Sequence, residues 1–361
     1  MPTQNSSPTT HPRIDRFTEL NQLTEPARSL GYRLPAEFEP QQSILLTTPH
    51  NTETWPSGTI EKAQTEHAYF AEQLAKAAPV ITTQSLNLPT NDSWIRDFGP
   101  LTVTRKPFTS WQPQNSSPNQ PLNQLAIHDF NFNGWGNKYE EKTHDNLIPQ
   151  HIAYQHNLPI FIHDLVFEGG SIDVNGQGLA LTTIQCLLNQ NRNAHLTQSD
   201  IVFFLQDAFN LDHIIFLPGG ITGDDTDGHI DDIARFINTD TVVIAAAPPH
   251  HPDHDILLEN KKILKKNKLN ILPLPTPDPI YFDFPGDRFM KAERLMLPAS
   301  YANFLISNGH LYLPTFNQPT DDLAIRALEN AMPDYNIIPI PSSHLISGLG
   351  ALHCLSMQIP Y

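Results

Sequence analysis

Gly223-Asp-Asp-Thr-Asp-Gly-His-Ile-Asp-Asp-Ile-Ala-Arg-Phe-Ile237 sets five carboxylates, Asp224, Asp225, Asp227, Asp231 and Asp232, around one imidazole, His229, and then turns apolar. If the stretch is extended, side chains alternate faces, so Asp227, His229 and Asp231 share one side and Asp232 takes the other. An imidazole and a carboxylate on one face are the minimum needed to move protons beside a bound cation. Asp and Gly also favour turns for backbone reasons alone. The stretch therefore takes its meaning from the residues that accompany it.

The chain has 361 residues, enough for two ordinary domains or one large repeat-built domain. Its net charge of -16, from 38 acidic and 22 basic residues, argues against phosphate-backbone binding, for which a basic patch is the expected footprint. A negative surface favours the approach of a small cation instead. No stretch reaches the roughly 20 apolar residues that span a bilayer. The polar start, Met1-Pro-Thr-Gln-Asn-Ser-Ser-Pro8, lacks the charged and apolar regions of a secretory signal, and a cytoplasmic protein is expected. Two cysteines, Cys186 and Cys354, can build neither a disulfide framework nor a four-thiolate zinc site; one reactive thiol is compatible with the sequence.

Along the chain, residues 1–30 read as a polar N-terminal segment, its first dozen residues disordered and the rest mildly helical, and 31–361 as a single domain. Helices are predicted over Thr59–Ala78, with Thr59 as the cap, and over Thr197–Phe209, Leu258–Asn267 and Asp321–Asn330. Buried strands are predicted over Ser43–Thr48, Val80–Thr83 and Thr241–Ala247, and the strand from Ile271 is expected to leave its sheet at proline. Asn308-Gly309 signals a hairpin, and Lys106–Gln124 an exposed low-complexity loop. Short strands with one helix per group recur every 50 to 70 residues or so, which predicts repeated supersecondary units. Such repeats gather their loops at one end, where Asp97, Glu168, His229 and Cys354 would converge.

Cys354 follows Gly348 and Gly350, which allow close backbone approach. In an extended segment its neighbour His353 faces the other way and is a poor base for the thiol, more suited to hydrogen bonding behind a site; His229 is the better partner. Glu168 precedes Gly169-Gly170, where a strand breaks and a carboxylate can project into a cleft. Asp97 follows Trp94 and Arg96; alternating faces argue against a salt bridge with Arg96, and Asp97 also suits a structural role at the Gly99-Pro100 turn. Metal binding by His250, His251, His254, Asp253 and Asp255 is the rival chemistry, but Pro249 and Pro252 deny that segment helical ligand spacing. No Gly-x-Gly-x-x-Gly or Walker pattern supports a nucleotide cofactor.

Trp94-Ile-Arg-Asp-Phe-Gly-Pro100, Phe132-Asn-Gly-Trp-Gly136, Glu168-Gly-Gly-Ser-Ile-Asp173, Asn189-Gln-Asn-Arg-Asn193, Thr226-Asp-Gly-His-Ile-Asp231, Ser300-Tyr-Ala-Asn-Phe304 and Leu352-His-Cys354 together resemble the agmatine deiminase and bacterial peptidylarginine deiminase family. They occur in the family's order from about residue 34 to the C-terminus. The resemblance implies the pentein fold, a five-bladed α/β propeller of ββαβ units about a pseudo-fivefold axis. It implies a cysteine nucleophile at Cys354, a proton-transferring histidine at His229 held by Glu168, two guanidinium-gripping aspartates at Asp97 and Asp231, and an aromatic wall at Trp94. No metal or other cofactor is required.

The expected substrate is a small cationic guanidine, agmatine first, with neither nucleic acid nor membrane as partner. A homo-oligomer is compatible with this reading. Arginine or peptidyl arginine is the alternative substrate, and a non-catalytic pentein that binds another protein the alternative role. Family members usually read Gly-Gly-Gly-Asn-Ile-His-Cys before the nucleophile, whereas this chain has Gly348-Leu-Gly-Ala-Leu-His-Cys354, and it lacks a tryptophan after Pro40. These departures spare the reacting groups and bear on the pocket for the substrate's far end.

Overall fold

The computed structural model of the chain describes residues 20–56, 58–111, 124–284 and 293–361. The expected disorder of the first dozen residues lies outside them, as does most of the Lys106–Gln124 loop.

Five three-stranded sheets share one connectivity. In each, a first strand pairs antiparallel with a second, a helix crosses over, and a third strand pairs parallel with the second, because a parallel neighbour can be reached only by such a crossover. The first unit is Leu101–Thr104, Leu125–Asn131, helix Ile148–His156 and Ile160–Val166. The second is Asp173–Val174, Leu179–Thr183, helix Gln198–Phe209 and His213–Leu217. The third is Ala234–Phe236, Thr241–Ala246, helix His254–Lys266 and Asn270–Pro275. The fourth is Leu305–Ser307, His310–Thr315, helix Asp321–Ala331 and Asn336–Pro341. The fifth joins the two ends of the chain: Ser356–Pro360 pairs antiparallel with Gln41–Leu46, and helix Ile60–Leu74 leads to Val80–Thr82. A separate hairpin pairs Tyr281–Phe284 with Glu293–Met296.

Each second strand lies between two neighbours and is the most apolar. Val242, Val243 and Ile244 are buried, as are Leu311, Tyr312 and Leu313, the continuous runs expected of strands covered on both faces. Third strands are sheet edges and tolerate proline. The strand expected to end at proline instead runs through Pro273 to Pro275, since an edge position needs no donor on its outer side. Asn308 and Gly309 take φ of 44° and 77° and close the predicted hairpin.

Three local expectations are corrected. Helix His254–Lys266 starts a turn earlier than Leu258, with Asp255 in its first turn and Lys265 and Lys266 in its last, the charge order its dipole favours. Thr59 occupies the N-cap position of the first long helix without making a side-chain capping bond, whereas Thr197 forms a full capping box with Asp200. Residues 20–30 are not helical; Gln22 bridges Ile160 at a sheet edge. No helix among the described residues is long and apolar enough to cross a membrane.

The repeated connectivity places the chemistry. The segment leading into each first strand carries a candidate residue: Asp97 before Leu101, Glu168 before Asp173, His229 and Asp231 before Ala234, Asn303 before Leu305 and Cys354 before Ser356.

Candidate active site

The segment around His229 is not extended. Asp227 and Gly228 have φ of 67° and 91°, and Ile230–Asp232 forms a 3-10 turn that begins at His229. The alternation expected from an extended strand is thus replaced. Asp227 faces Lys138 and Arg192, while Asp231 and Asp232 both lie close to Cys354. Asp224 shapes this loop: its carboxylate accepts from the Thr226 N–H and hydroxyl at 2.8 and 2.5 Å and from the His229 N–H at 3.0 Å.

His229 Nε2 lies 3.0 Å from Glu168 Oε2, and its Nδ1 lies 3.6 Å from Asp97 Oδ1. Burial opposes the charged imidazole, but Asp97, Cys186 and Glu168 outweigh it and hold His229 well above its ordinary pKa. Glu168 is fixed from behind by Arg192, whose Nε and Nη2 donate to its two oxygens at 2.9 and 3.0 Å. That guanidinium also binds Asp227 Oδ2 at 2.5 Å and the Thr226 carbonyl at 2.9 Å, tying the histidine loop to the glutamate segment. Burial raises the Glu168 pKa, but its bonds to His229 and Arg192 prevail and keep it below the usual value.

Asp97 sits in the helical turn Ile95–Phe98, so the alternation assumed for Arg96 and Asp97 does not apply. Arg96 turns away to Glu37 and Gln358. Asp97 accepts from the Gly170 N–H at 3.0 Å and from the Trp135 indole N–H at 2.9 Å. Trp135 reaches it from a left-handed backbone position, φ 52°, beside Gly136 at φ 82°. Burial, with Asp231 and Glu168 adding to it and His229 opposing, pushes the Asp97 carboxyl up to about 6. Gly170 has to be glycine: a Cβ there would lie 2.5 Å from His229 Nδ1, 2.7 Å from Asp97 Oδ1 and 3.1 Å from Asp231 Oδ2. That single position shows how closely the three groups converge.

Cys354 Sγ accepts from Asn303 Nδ2 at 3.0 Å and donates to Asp231 Oδ2 at 3.6 Å. Burial raises its pKa well above the ordinary thiol value, and Asp231, Asp232 and Asp97 raise it further. Those carboxylates make the sulfur's surroundings anionic. Asp231 Oδ2 also takes the His353 Nδ1 contact at 2.7 Å, while Asp231 Oδ1 is buried with no hydrogen-bond partner among the described residues. His353 sits behind the site, as its position beside Cys354 predicts, with Nε2 2.9 Å from Glu37. Glu37 in turn pairs with Arg235 at 2.8 Å, and Arg235 with Asp173 at 2.8 Å, so a buried charged network backs the reacting groups.

A narrow cleft opens over Cys354. Its walls include Trp94, Trp135, Tyr139, Asp225, Gly348 and Leu349, with Asp97 beside the sulfur. Trp94 packs against Trp55 with ring centroids 5.0 Å apart and the ring planes tilted by 34°. Asp225 accepts from the Tyr139 hydroxyl at 2.5 Å.

All six residues singled out from the sequence, Trp94, Asp97, Glu168, His229, Asp231 and Cys354, meet in this region. Arg192, Asn303 and Trp135 lie inside the quoted motifs but had no role assigned. Glu37 lies outside the quoted motifs, and Cys186, whose thiol is 3.6 Å from Glu168 Oε2, had no role assigned either. Among the described residues, the groups close enough to share a cation are Glu168, Cys186 and His229, and Asp231, Asp232 and Cys354. The histidine-rich loop is not among them: His254 Nδ1 meets the Ala247 carbonyl, and Asp253 accepts from Thr222.

Comparison with known proteins agrees with the geometry. Agmatine deiminase of Pseudomonas aeruginosa is 28% identical, with 94% of this chain and 99% of that one aligned. The structure of Enterococcus faecalis agmatine deiminase superposes with a TM-score of 0.83 at 26% identity, over 94% of this chain and 98% of that one. A cysteine-to-serine variant of C. jejuni agmatine deiminase with substrate bound superposes at 0.79 and 28% identity, over 91% and 96% of the two chains. The sequence model of the Porphyromonas-type peptidyl-arginine deiminases matches residues 33–360, almost the full length, and the chain belongs to that family.

Proposed function

We propose that this chain is a guanidine deiminase that converts agmatine and water into N-carbamoylputrescine and ammonia. The observation that carries the reading is the buried thiol of Cys354 set among Asp97, Asp231 and Asp232, with Asp231 Oδ1 unpartnered. Buried anionic oxygens left in this state are costly unless a cation completes them. A planar guanidinium presents a fork of N–H donors that two carboxylates can take together.

In this reading Asp97 and Asp231 hold the guanidinium with its central carbon over Cys354 Sγ. The substrate's positive charge lowers the thiol pKa that burial and the carboxylates raise, so substrate binding helps to form its own nucleophile. Sulfur attacks the carbon, and the bond to a terminal nitrogen breaks as His229, held by Glu168, protonates the departing ammonia. The neutral imidazole then takes a proton from water. The resulting hydroxide attacks the thiouronium carbon, the C–S bond breaks, and a urea and free Cys354 remain. Arg192 acts as a positioning residue through Glu168.

Asp225 suits the far ammonium of agmatine. Asp224 is occupied in holding the His229 loop, whereas Asp225 lines the cleft and would repel the α-carboxylate of free arginine. We further take residues 31–361 as one catalytic domain whose five ββαβ units stand as blades about a common axis. Ammonia release from agmatine, arginine and a blocked arginine peptide tests the reading. Agmatine is expected to lead by about 100-fold or more in kcat/KM, since a half-buried carboxylate matched to an ammonium discriminates by about 3 kcal/mol. Equal turnover of the three contradicts the assignment of agmatine.

A further inference from the structure

Leu349 occupies a backbone position that suits glycine. It has φ 74° and ψ 24°, ends the 3-10 turn Leu345–Gly348 and is buried. A bulky side chain rarely adopts this left-handed conformation. The residues on either side cannot carry a side chain at all. A Cβ on Gly348 would stand 2.4 Å from the Trp55 ring, and one on Gly350 would stand 2.5 Å from Trp94. The loop is therefore wedged against two indoles that pack on each other at a tilt, and it cannot retreat to make room. At the one position between them the chain places an isobutyl group, and Leu349 lines the cleft with Asp225, Tyr139 and Cys354.

We propose that Leu349 is a specificity-determining residue. Its side chain narrows the cleft to the width of an unbranched alkyl chain and excludes guanidines whose far end is branched, above all arginine within a peptide. The proposal rests on the guanidine deiminase reading and adds to it the reason for selecting a slender substrate. Leucine at this position forgoes the conformational ease of glycine, and it shares the cleft with Cys354 and Asp225, between which the deiminase reading places the substrate's methylene chain.

The test compares the wild-type chain with Leu349→Gly and Leu349→Ala, measuring kcat/KM for agmatine and for an arginine blocked at both its amino and carboxyl ends. The ratio of agmatine to blocked arginine is expected to fall by about tenfold or more in Leu349→Gly, with the larger share coming from gained activity on the blocked substrate. The alanine variant is expected to fall between the two, and it decides the matter if the glycine variant does not fold. A ratio unchanged within about twofold in both variants overturns the proposal. A wild-type chain that turns over blocked arginine as well as agmatine also overturns it and leaves the deiminase reading standing. A wild-type chain that releases ammonia from neither overturns both.

Discussion

Cys354→Ala is expected to reduce ammonia release from agmatine by about 10⁴-fold or more while leaving the fold and agmatine binding in place. The loss is this large because the proposed mechanism runs through a covalent bond to sulfur, and among the described residues lining the cleft Cys354 supplies the thiol. Cys186, the other cysteine, lies against Glu168. Folding is expected to survive because main-chain bonds hold the segment: Arg96 N donates to the Cys354 carbonyl at 3.1 Å, and Asn303 Oδ1 accepts from the His353 N–H at 3.0 Å. Parallel assays of ammonia release and of agmatine binding by calorimetry check this result. Turnover within about tenfold of wild type would contradict it and favour a mechanism without the sulfur.

Asp231→Asn separates two functions of one carboxylate. The amide keeps an oxygen for His353 but removes the charge proposed to hold the guanidinium. Breaking one half of a buried charge pair costs about 2–5 kcal/mol, so kcat/KM is expected to fall by roughly two to three orders of magnitude. The thiol should respond in the opposite sense. Burial raises the Cys354 pKa most and Asp231 comes next, so removing that negative charge lowers the pKa, enlarges the thiolate fraction near neutral pH and speeds alkylation by iodoacetamide. Slower turnover with faster alkylation is the expected pair of results. Both rates falling together would indicate collapse of the site.

Much of the site was legible in the order of the motifs, and the limits of that legibility have local causes. Cys354, His229, Glu168, Asp97 and Asp231 are far apart in sequence, yet each lies where the chain enters the first strand of a unit, so a repeated supersecondary plan brings them together. Alternation along an extended chain misjudged the faces of Asp227 and Asp232, because left-handed Asp227 and Gly228 and the turn at Ile230–Asp232 rotate the chain. The same reasoning kept Arg96 away from Asp97 for the wrong cause, since those residues occupy a helical turn.

Residues that act through others left weaker traces. Arg192 binds Glu168 and Asp227, and Asn303 binds Cys354 and Asp232, contacts that exist only once distant segments meet. Glu37 and Arg235 form a pair wholly enclosed by the fold, and no local pattern marks either one. The proline-bearing edge strand Asn270–Pro275 was misread for a similar reason, because whether a strand is central or at an edge is a property of the sheet.

The central claim is that carbon–nitrogen bond cleavage proceeds through a covalent bond to Cys354. Rapid acid quenching of the enzyme during agmatine turnover, followed by intact-mass and peptide mapping, tests it most directly. The account predicts a transient species heavier by one agmatine less one ammonia, located on the peptide containing Cys354 and lost in Cys354→Ala. Steady ammonia production with no such adduct at any quench time, or an adduct mapped to Cys186, would contradict it.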